Sequence, residues 1–289
     1  MCSPEVMARV RAEVSRRRLL CSVGVAGLGL GAFAGALPRT VAAQDAATPV
    51  ATPAVGQTTL TFAQVVDLSH THGPDFPMFP GAQQMQMNVI VTIAENGFFK
   101  NELILDEHTG THMDAPAHFI EQGATADQLS VADFIAPLVV IDISARAAGD
   151  PDAQLMVGDL TAWESANGSI PSGALVAMNS GWEARVSDPA NYLNLDADNT
   201  PHFPGFHPDA AALLVDERDV VGIGVDTVSL DYGQSQDFAT HVTLLSAGKF
   251  GLENLANLSA VPAAGATVVV GGPKHVNASG GPARVLALV

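Results

Sequence analysis

Fourteen residues, DEHTGTHMDAPAHF from Asp106 to Phe119, gather His108, His112, Asp114 and His118 into a chain that has only nine histidines in all. Imidazole and carboxylate together are the donor set of zinc and manganese sites. The offsets from His108 are 4, 6 and 10 residues, all even. In an extended chain even offsets share a face, so His112 and Asp114 point the same way about 7 Å apart, close enough to converge on one ion. His108 would stand about 13 Å from His112 along a straight strand. Gly110 between them permits a kink or bulge that shortens the gap. A helix would also bring residues 108 and 112 to one face, but Thr109, Gly110, Thr111 and Pro116 argue against one. Asp114 has two oxygens and could bridge two ions, while His118, beyond Pro116, is either a further ligand or a proton-transfer group. The bland alternative is a set of polar loop residues, or histidines paired inside a core. Three histidines with an aspartate at this spacing favour the metal.

A water held by such an ion has its pKa lowered from about 15.7 to around 7, which provides hydroxide at ordinary pH without a protein nucleophile. That suits this chain, because both of its cysteines, Cys2 and Cys21, fall in a stretch expected to be removed. Paired arginines, an apolar run rich in Gly and Ala, and a small-residue end make residues 1–43 a twin-arginine export signal with a cut after Ala43. A retained anchor over Leu19 to Leu37 is the competing reading; its many glycines make it a poor span, so no stable membrane anchor is expected. Residues 44–57, an Ala/Thr/Pro tract without periodicity, read as a disordered linker.

One domain over residues 58–289 remains, long enough to bury a large core. The full chain carries a formal charge of −17; without residues 1–43 it keeps seven basic against 28 acidic residues, or −21. A surface so acidic repels nucleic acid and anionic lipid, and the preferred reading is solubility outside the cytoplasm. Acidity by itself names no substrate, so the small-molecule partner expected here rests on the chemistry of the histidine segment.

Strand-like runs must position the histidine segment. TTLTFAQVVDLSH, MQMNVIVTI, PLVVIDIS, SGALVAMNS, VVGIGVDTVSL and GATVVVGGP have β-branched or alternating character. Helices are fewer: VGDLTAWESAN, with Asp159 near its start, and HPDAAALLVDERD, with Pro208 at its first position and His207 where a cap belongs. GLENLANLSAVP reads as a short third helix or a turn. Strands outnumber helices without regular alternation, which predicts a mixed α/β domain rather than a doubly wound sheet. No phosphate-cradling glycine motif and no Gly-x-Ser-x-Gly elbow is present.

The pattern His-x-Gly-Thr-His-x-Asp-x-Pro-x-His resembles the signature of the cyclase family of metal-dependent hydrolases, which includes bacterial kynurenine formamidases and isatin hydrolases. The resemblance implies a swivelling β/β/α fold. It also implies that His108, His112 and Asp114 are ligands and that His118 is the proton donor and acceptor. Formamidases of the family add a histidine and a glutamate twelve residues apart, and His241 and Glu253 stand at that separation here. The implied cofactor is Zn or Mn, one or two ions per subunit, and a homodimer is expected by analogy.

VVDLSHTHGPDFPMFPG, SGWEARVSDPANYLN, GIGVDTVSLD and SGGPARVLAL extend the resemblance from Val65 to the C-terminus. Phe79 replaces a tryptophan that formamidases often place in the first loop, which weighs against a kynurenine-type substrate. Phe76, Phe79, Phe119, Trp182 and Phe203 are the candidates for an aromatic-accepting wall, with Phe79 and Trp182 as substrate contacts. Each could equally be ordinary core. His70 and His72 are read as loop residues, His202 as a pocket neighbour and His275 as exposed.

The expected reaction is hydrolysis of an amide, with N-formylkynurenine giving kynurenine and formate. An isatin-like ring or a lactone is the alternative, and an exported metal- or solute-binding protein without turnover is the reading from a different class.

Overall fold

A computed structural model describes residues 59–289; the export signal, both cysteines and the linker expected over 44–57 lie outside the described residues. Thirteen strands run in chain order: β1 (Val65–Asp67), β2 (Gln86–Val91), β3 (Lys100–Ile104), β4 (His112–Asp114), β5 (Ile135–Asp142), β6 (Gln154–Leu155), β7 (Leu175–Asn179), β8 (Gly205–Phe206), β9 (Gly222–Val225), β10 (Phe250–Glu253), β11 (Ala266–Gly271), β12 (Gly280–Pro282) and β13 (Arg284–Leu288). Nine of them form one sheet in the order β1-β13-β11-β5-β7-β9-β10-β4-β12. Its middle, β5-β7-β9-β10, is parallel, and both flanks are antiparallel. The domain is therefore mixed α/β with a strand-rich core, as its composition of elements predicts.

Alternation along the central strands sorts side chains onto two faces. Leu138 and Val140 of β5, with Leu175 and Ala177 of β7, enter one apolar cluster; Val139, Ile141, Val176 and Met178 enter the other. Three helices cover the second face through Leu160, Trp163, Ala210, Leu214, Leu244 and Leu245. The first cluster takes Val66 and Val285 from one end of the sheet together with Met113 and Leu252 from the other, so the sheet curls around it. Hydrogen bonds close the curl: Leu68 N–H donates to Val285 O at 2.9 Å and Ala256 N–H to Leu68 O at 2.9 Å.

Two helices begin where their capping residues predict. Asp159 accepts from Met156 N–H at 2.7 Å at the start of Val157–Asn167. His207 Nδ1 accepts from Asp209 N–H at 3.1 Å ahead of Pro208–Arg218. The segment read as a third helix or turn is different: its first residues are in β10, and only Leu258–Ala260 forms a 3-10 turn. The third covering helix, Ala239–Ser246, was not predicted; it opens on Phe238 at φ 50°, whose side chain gives no cap, and Asp231 accepts from Thr240 N–H at 2.9 Å and His241 N–H at 3.1 Å instead. Among the described residues no helix is long and apolar enough to cross a membrane.

Candidate metal centre

Every candidate ligand is delivered by backbone pairing at one end of the curled sheet. In β4 His112 and Asp114 share a face, and Met113 between them turns into the apolar cluster with no exposure. β10 lies antiparallel beside it with Glu253 directly opposite His112, so imidazole and carboxylate project side by side. Gly110, at φ +63°, supplies the kink. A Cβ there would meet His72 Cγ at 2.9 Å. The turn carries His108 back until its Nδ1 stands 2.7 Å from Asp114 Oδ1. Helix Ala239–Ser246 brings His241, and the 3-10 turn Pro116–His118 brings His118.

Around Asp114 the donors converge. His112 Nε2 lies 3.3 Å from Asp114 Oδ1 and 3.3 Å from Glu253 Oε2. His241 Nε2 lies 3.4 Å from Asp114 Oδ2 and 3.1 Å from Glu253 Oε1. The outer ring nitrogens are engaged elsewhere: His112 Nδ1 with Gly110 O at 2.9 Å, His241 Nδ1 with Asp231 Oδ2 at 2.6 Å, and His108 Nε2 with Ser279 Oγ at 2.9 Å. Such outer bonds fix each ring so that its other nitrogen faces inward. Two inward atoms, His112 Nε2 and Asp114 Oδ2, are buried with no hydrogen-bond partner. A buried orphan costs about 1–3 kcal/mol, and a cation among these lone pairs removes that cost. The residues therefore fit a divalent metal. Ligand atoms of His112, Asp114 and Glu253 lie within 4.8 Å of one another, and so do those of His108, Asp114 and His118. Asp114 belongs to both groups.

Charge balance tells the same story. Burial opposes a charged His112, but the carboxylates of Asp114 and Glu253, each 3.3 Å from its Nε2, outweigh burial and raise its pKa to about 10. His241 is raised well above the usual histidine range, against burial, by Asp114, Asp231 and Glu253. Asp114 is held well below the carboxylate range, again against burial, by its histidine partners. Protons on imidazole thus hold the cluster together when no cation does, and a metal must displace them. His118 behaves oppositely. Burial dominates and lowers it to about 4, and its ring stacks on His108 with centroids 3.7 Å apart.

A cavity of about 290 Å³ opens over this centre, with His108, His118, His241 and Glu253 in its floor. Phe79, Phe119 and Phe238 form its wall, their ring centroids 5.5–6.1 Å apart through Phe238.

All six residues expected to bind metal or move protons are brought together, and Phe79 lines the cavity. Trp182 is a correction. It is 1 % exposed in a separate cluster with Tyr192, Phe203 and Val228, its indole N–H donates to Tyr192 O at 2.8 Å, and the Arg185 guanidinium covers its ring at 3.7 Å. A side chain so enclosed cannot touch a ligand in the cavity. Phe203 lies in the same cluster, and Phe76 packs on His70 and His72. His202 binds Asp152 at 2.9 Å and is not part of the cavity lining. Sequence reasoning missed Phe238, Asp231 and Ser279, which approach the histidines only through the fold.

The sequence family described as "Putative cyclase" matches residues 66–232. The chain belongs to the cyclase family. It is 36% identical over 244 residues to an isatin hydrolase of Roseibium aggregatum, covering 78% of this chain and 92% of that protein. A kynurenine formamidase of Salinibacter ruber is 28% identical over 66% of this chain and 82% of its own length. The crystal structure of an isatin hydrolase bound to the product analogue thioisatinate superposes with a TM-score of 0.75 at 36% identity, over 78% of this chain and 92% of that one. With hydrolases as its relatives and this donor set, the chain falls in the class of metal-dependent hydrolases.

Proposed function

We propose that this protein hydrolyses the amide bond of an uncharged, ring-fused aromatic substrate of the isatin type, giving an arylglyoxylate with a free aromatic amine. The observation that carries this reading is the cavity: aromatic walls directly above the convergent histidines and carboxylates, with Asp106 but no Lys or Arg in its lining.

His108, His112, Asp114, His241 and Glu253 would hold Zn or Mn, one or two ions, and His118 would move protons. Once bound, the ion would supply Lewis acidity and lower the pKa of water at the site toward about 7. The remaining work falls to the chain's own groups. Phe79, Phe119 and Phe238 accept the aromatic ring and exclude bulk water from the floor. His118, uncharged at neutral pH, accepts a proton from the attacking water on a ring nitrogen and returns it to the leaving nitrogen. The C–N bond breaks, oxygen joins the carbonyl carbon as a carboxylic acid that ionises by giving the second water proton to solvent, and nitrogen keeps the proton delivered by His118. The product is an anion facing Asp106 in a chain of strongly negative charge, which favours its release.

N-Formylkynurenine, the substrate expected first from the signature, stands second. Its amino-acid head bears a carboxylate, and no Lys or Arg lines the cavity to receive it. The greater similarity to an isatin hydrolase than to the formamidase points the same way. Chelator-stripped protein reloaded with Mn or Zn and assayed on both compounds tests the order. Isatin should be opened with at least a tenfold higher kcat/KM; a preference for the formamide, or turnover indifferent to chelation, would overturn the proposal. Tight metal binding without turnover on any amide would favour the solute-binding alternative.

A homodimer belongs to the same proposal. The β2-β3 ribbon exposes Met87, Val89, Ile90, Phe99, Leu103 and Ile104, a concentration of apolar surface that marks interaction sites. Light scattering should find a dimer that Val89→Glu weakens; a monomeric wild type would refute it. Export by the twin-arginine route rests on the paired arginines and apolar run of residues 16–43, and cell fractionation tests it.

A further inference from the structure

Of the three inward-facing imidazoles, His112 is oriented by a carbonyl and His241 by a carboxylate, whereas His108 meets only a hydroxyl, Ser279 Oγ. That hydroxyl has one hydrogen to give. It donates to Glu107 Oε2 at 2.6 Å, and the same oxygen also receives Ser279 N–H at 2.9 Å. Having spent its hydrogen, Ser279 Oγ can only accept from His108 Nε2–H. His108 Nδ1 stands 2.7 Å from Asp114 Oδ1, a contact that needs a proton between the two atoms when no cation is bound. A cation that replaces this proton meets the Nδ1 lone pair, because the ring's other hydrogen is held on Nε2.

The contact is built rather than incidental. Ser279 O accepts from Ala115 N–H at 2.9 Å, next to the ligand Asp114, and β12, which follows Ser279, pairs with β4 so that Gly280 lies opposite Asp114. A Cβ on Gly280 would stand 2.7 Å from His108 Cε1 and 2.4 Å from Met113 O, so β12 lies close against the imidazole. His108 is clamped by backbone and by a hydrogen-bond chain that ends in a carboxylate.

We infer that Glu107 and Ser279 are positioning residues: acting through one hydroxyl, they hold His108 in the Nε2–H tautomer and keep Nδ1 free to bind the metal. This rests on the reading of the centre as a metal site. Glu107 follows Asp106 directly and points away from the cavity that Asp106 lines, so its own route to the metal is through the serine.

Glu107→Ala provides the test. Without the carboxylate that accepts from Ser279 N–H and Oγ–H, the hydroxyl hydrogen is free to turn toward His108 Nε2, and the Nε2–H tautomer is no longer enforced. Calorimetric titration of chelator-stripped protein with Zn should show affinity weakened roughly 10–100-fold. Nitrogen-15 spectra of histidine-labelled, zinc-loaded protein should lose the His108 Nε2–H pattern. Ser279→Ala, which deletes a single hydroxyl, should weaken Zn as well, and its readouts decide if the Glu107→Ala variant fails to fold. Affinity within twofold of wild type in both variants, or an unchanged His108 pattern, would overturn the relay alone. A wild type that binds no divalent cation would overturn the metal-centre reading and the relay with it.

Discussion

His118 differs from the other imidazoles at the centre because its ring makes no hydrogen bond to the described residues, while His108, His112 and His241 are each tied at an outer nitrogen. Burial lowers it to about 4, so at neutral pH it is a base awaiting a proton. His118→Ala should reduce kcat roughly a hundred- to ten-thousand-fold with bound metal unchanged, checked by elemental analysis beside the assay. Asp114→Asn should behave differently, since both carboxylate oxygens face histidines: metal is lost along with activity. These assignments also fix the acid side of the pH profile. As pH falls, protons compete first for His112, whose metal-free pKa is raised to about 10, and reach His118 only near 4. Activity should therefore decline in step with metal content. A decline above about pH 5 with metal fully retained would contradict this ordering.

At the scale of elements, the site depends on strands too short to carry a pattern. Even spacing identified the shared face of His112 and Asp114, and the glycine between His108 and His112 announced the kink; both are local facts. Glu253 lies across from His112 only because β10 pairs with β4 in one register, and no sequence period encodes that register. β12 is three residues of Gly-Gly-Pro, invisible as a strand, yet it packs against His108. Helix Ala239–Ser246 escaped notice because its first-turn N–H groups are capped from a distance, by Asp231, rather than by the residue before it, and because it holds two threonines and a valine among its eight residues. The helices that were legible carried a Pro at the first turn or an acidic cap. Trp182 was misread because its loop resembles the family's, while its ring turns into the core. The tight fit of β12 gives a prediction: Gly280→Ala forces backbone apart at Met113 O and should cost about 1–3 kcal/mol of stability, with weaker metal binding as the strand shifts. A melting curve and metal affinity like those of wild type would show that β12 can yield without cost.

For the whole molecule, the centre couples metal, protons and folding. The sheet brings His112, Asp114, His241 and Glu253, each at most 5 % exposed, to the end where its curl closes, and an unfolded chain has no such site. A cation at a thousandfold excess over its Kd should then stabilise the fold by about 4 kcal/mol. The sign of the pH dependence follows from the histidines. In stripped protein His112 has a folded pKa of about 10 against 6.5 for the free side chain. Its stabilising contribution is complete below 6.5 and fades as pH rises toward 10; His241, raised in the same direction, adds to the trend. Loaded protein has already given up those protons, so its apparent metal affinity improves over the same range. The difference in Tm between loaded and stripped protein should widen from about pH 6 to about pH 9, and proton release on loading, measured in buffers of differing ionisation enthalpy, should account for the widening. A difference that stays constant across that range would mean that the imidazoles are not what the cation displaces.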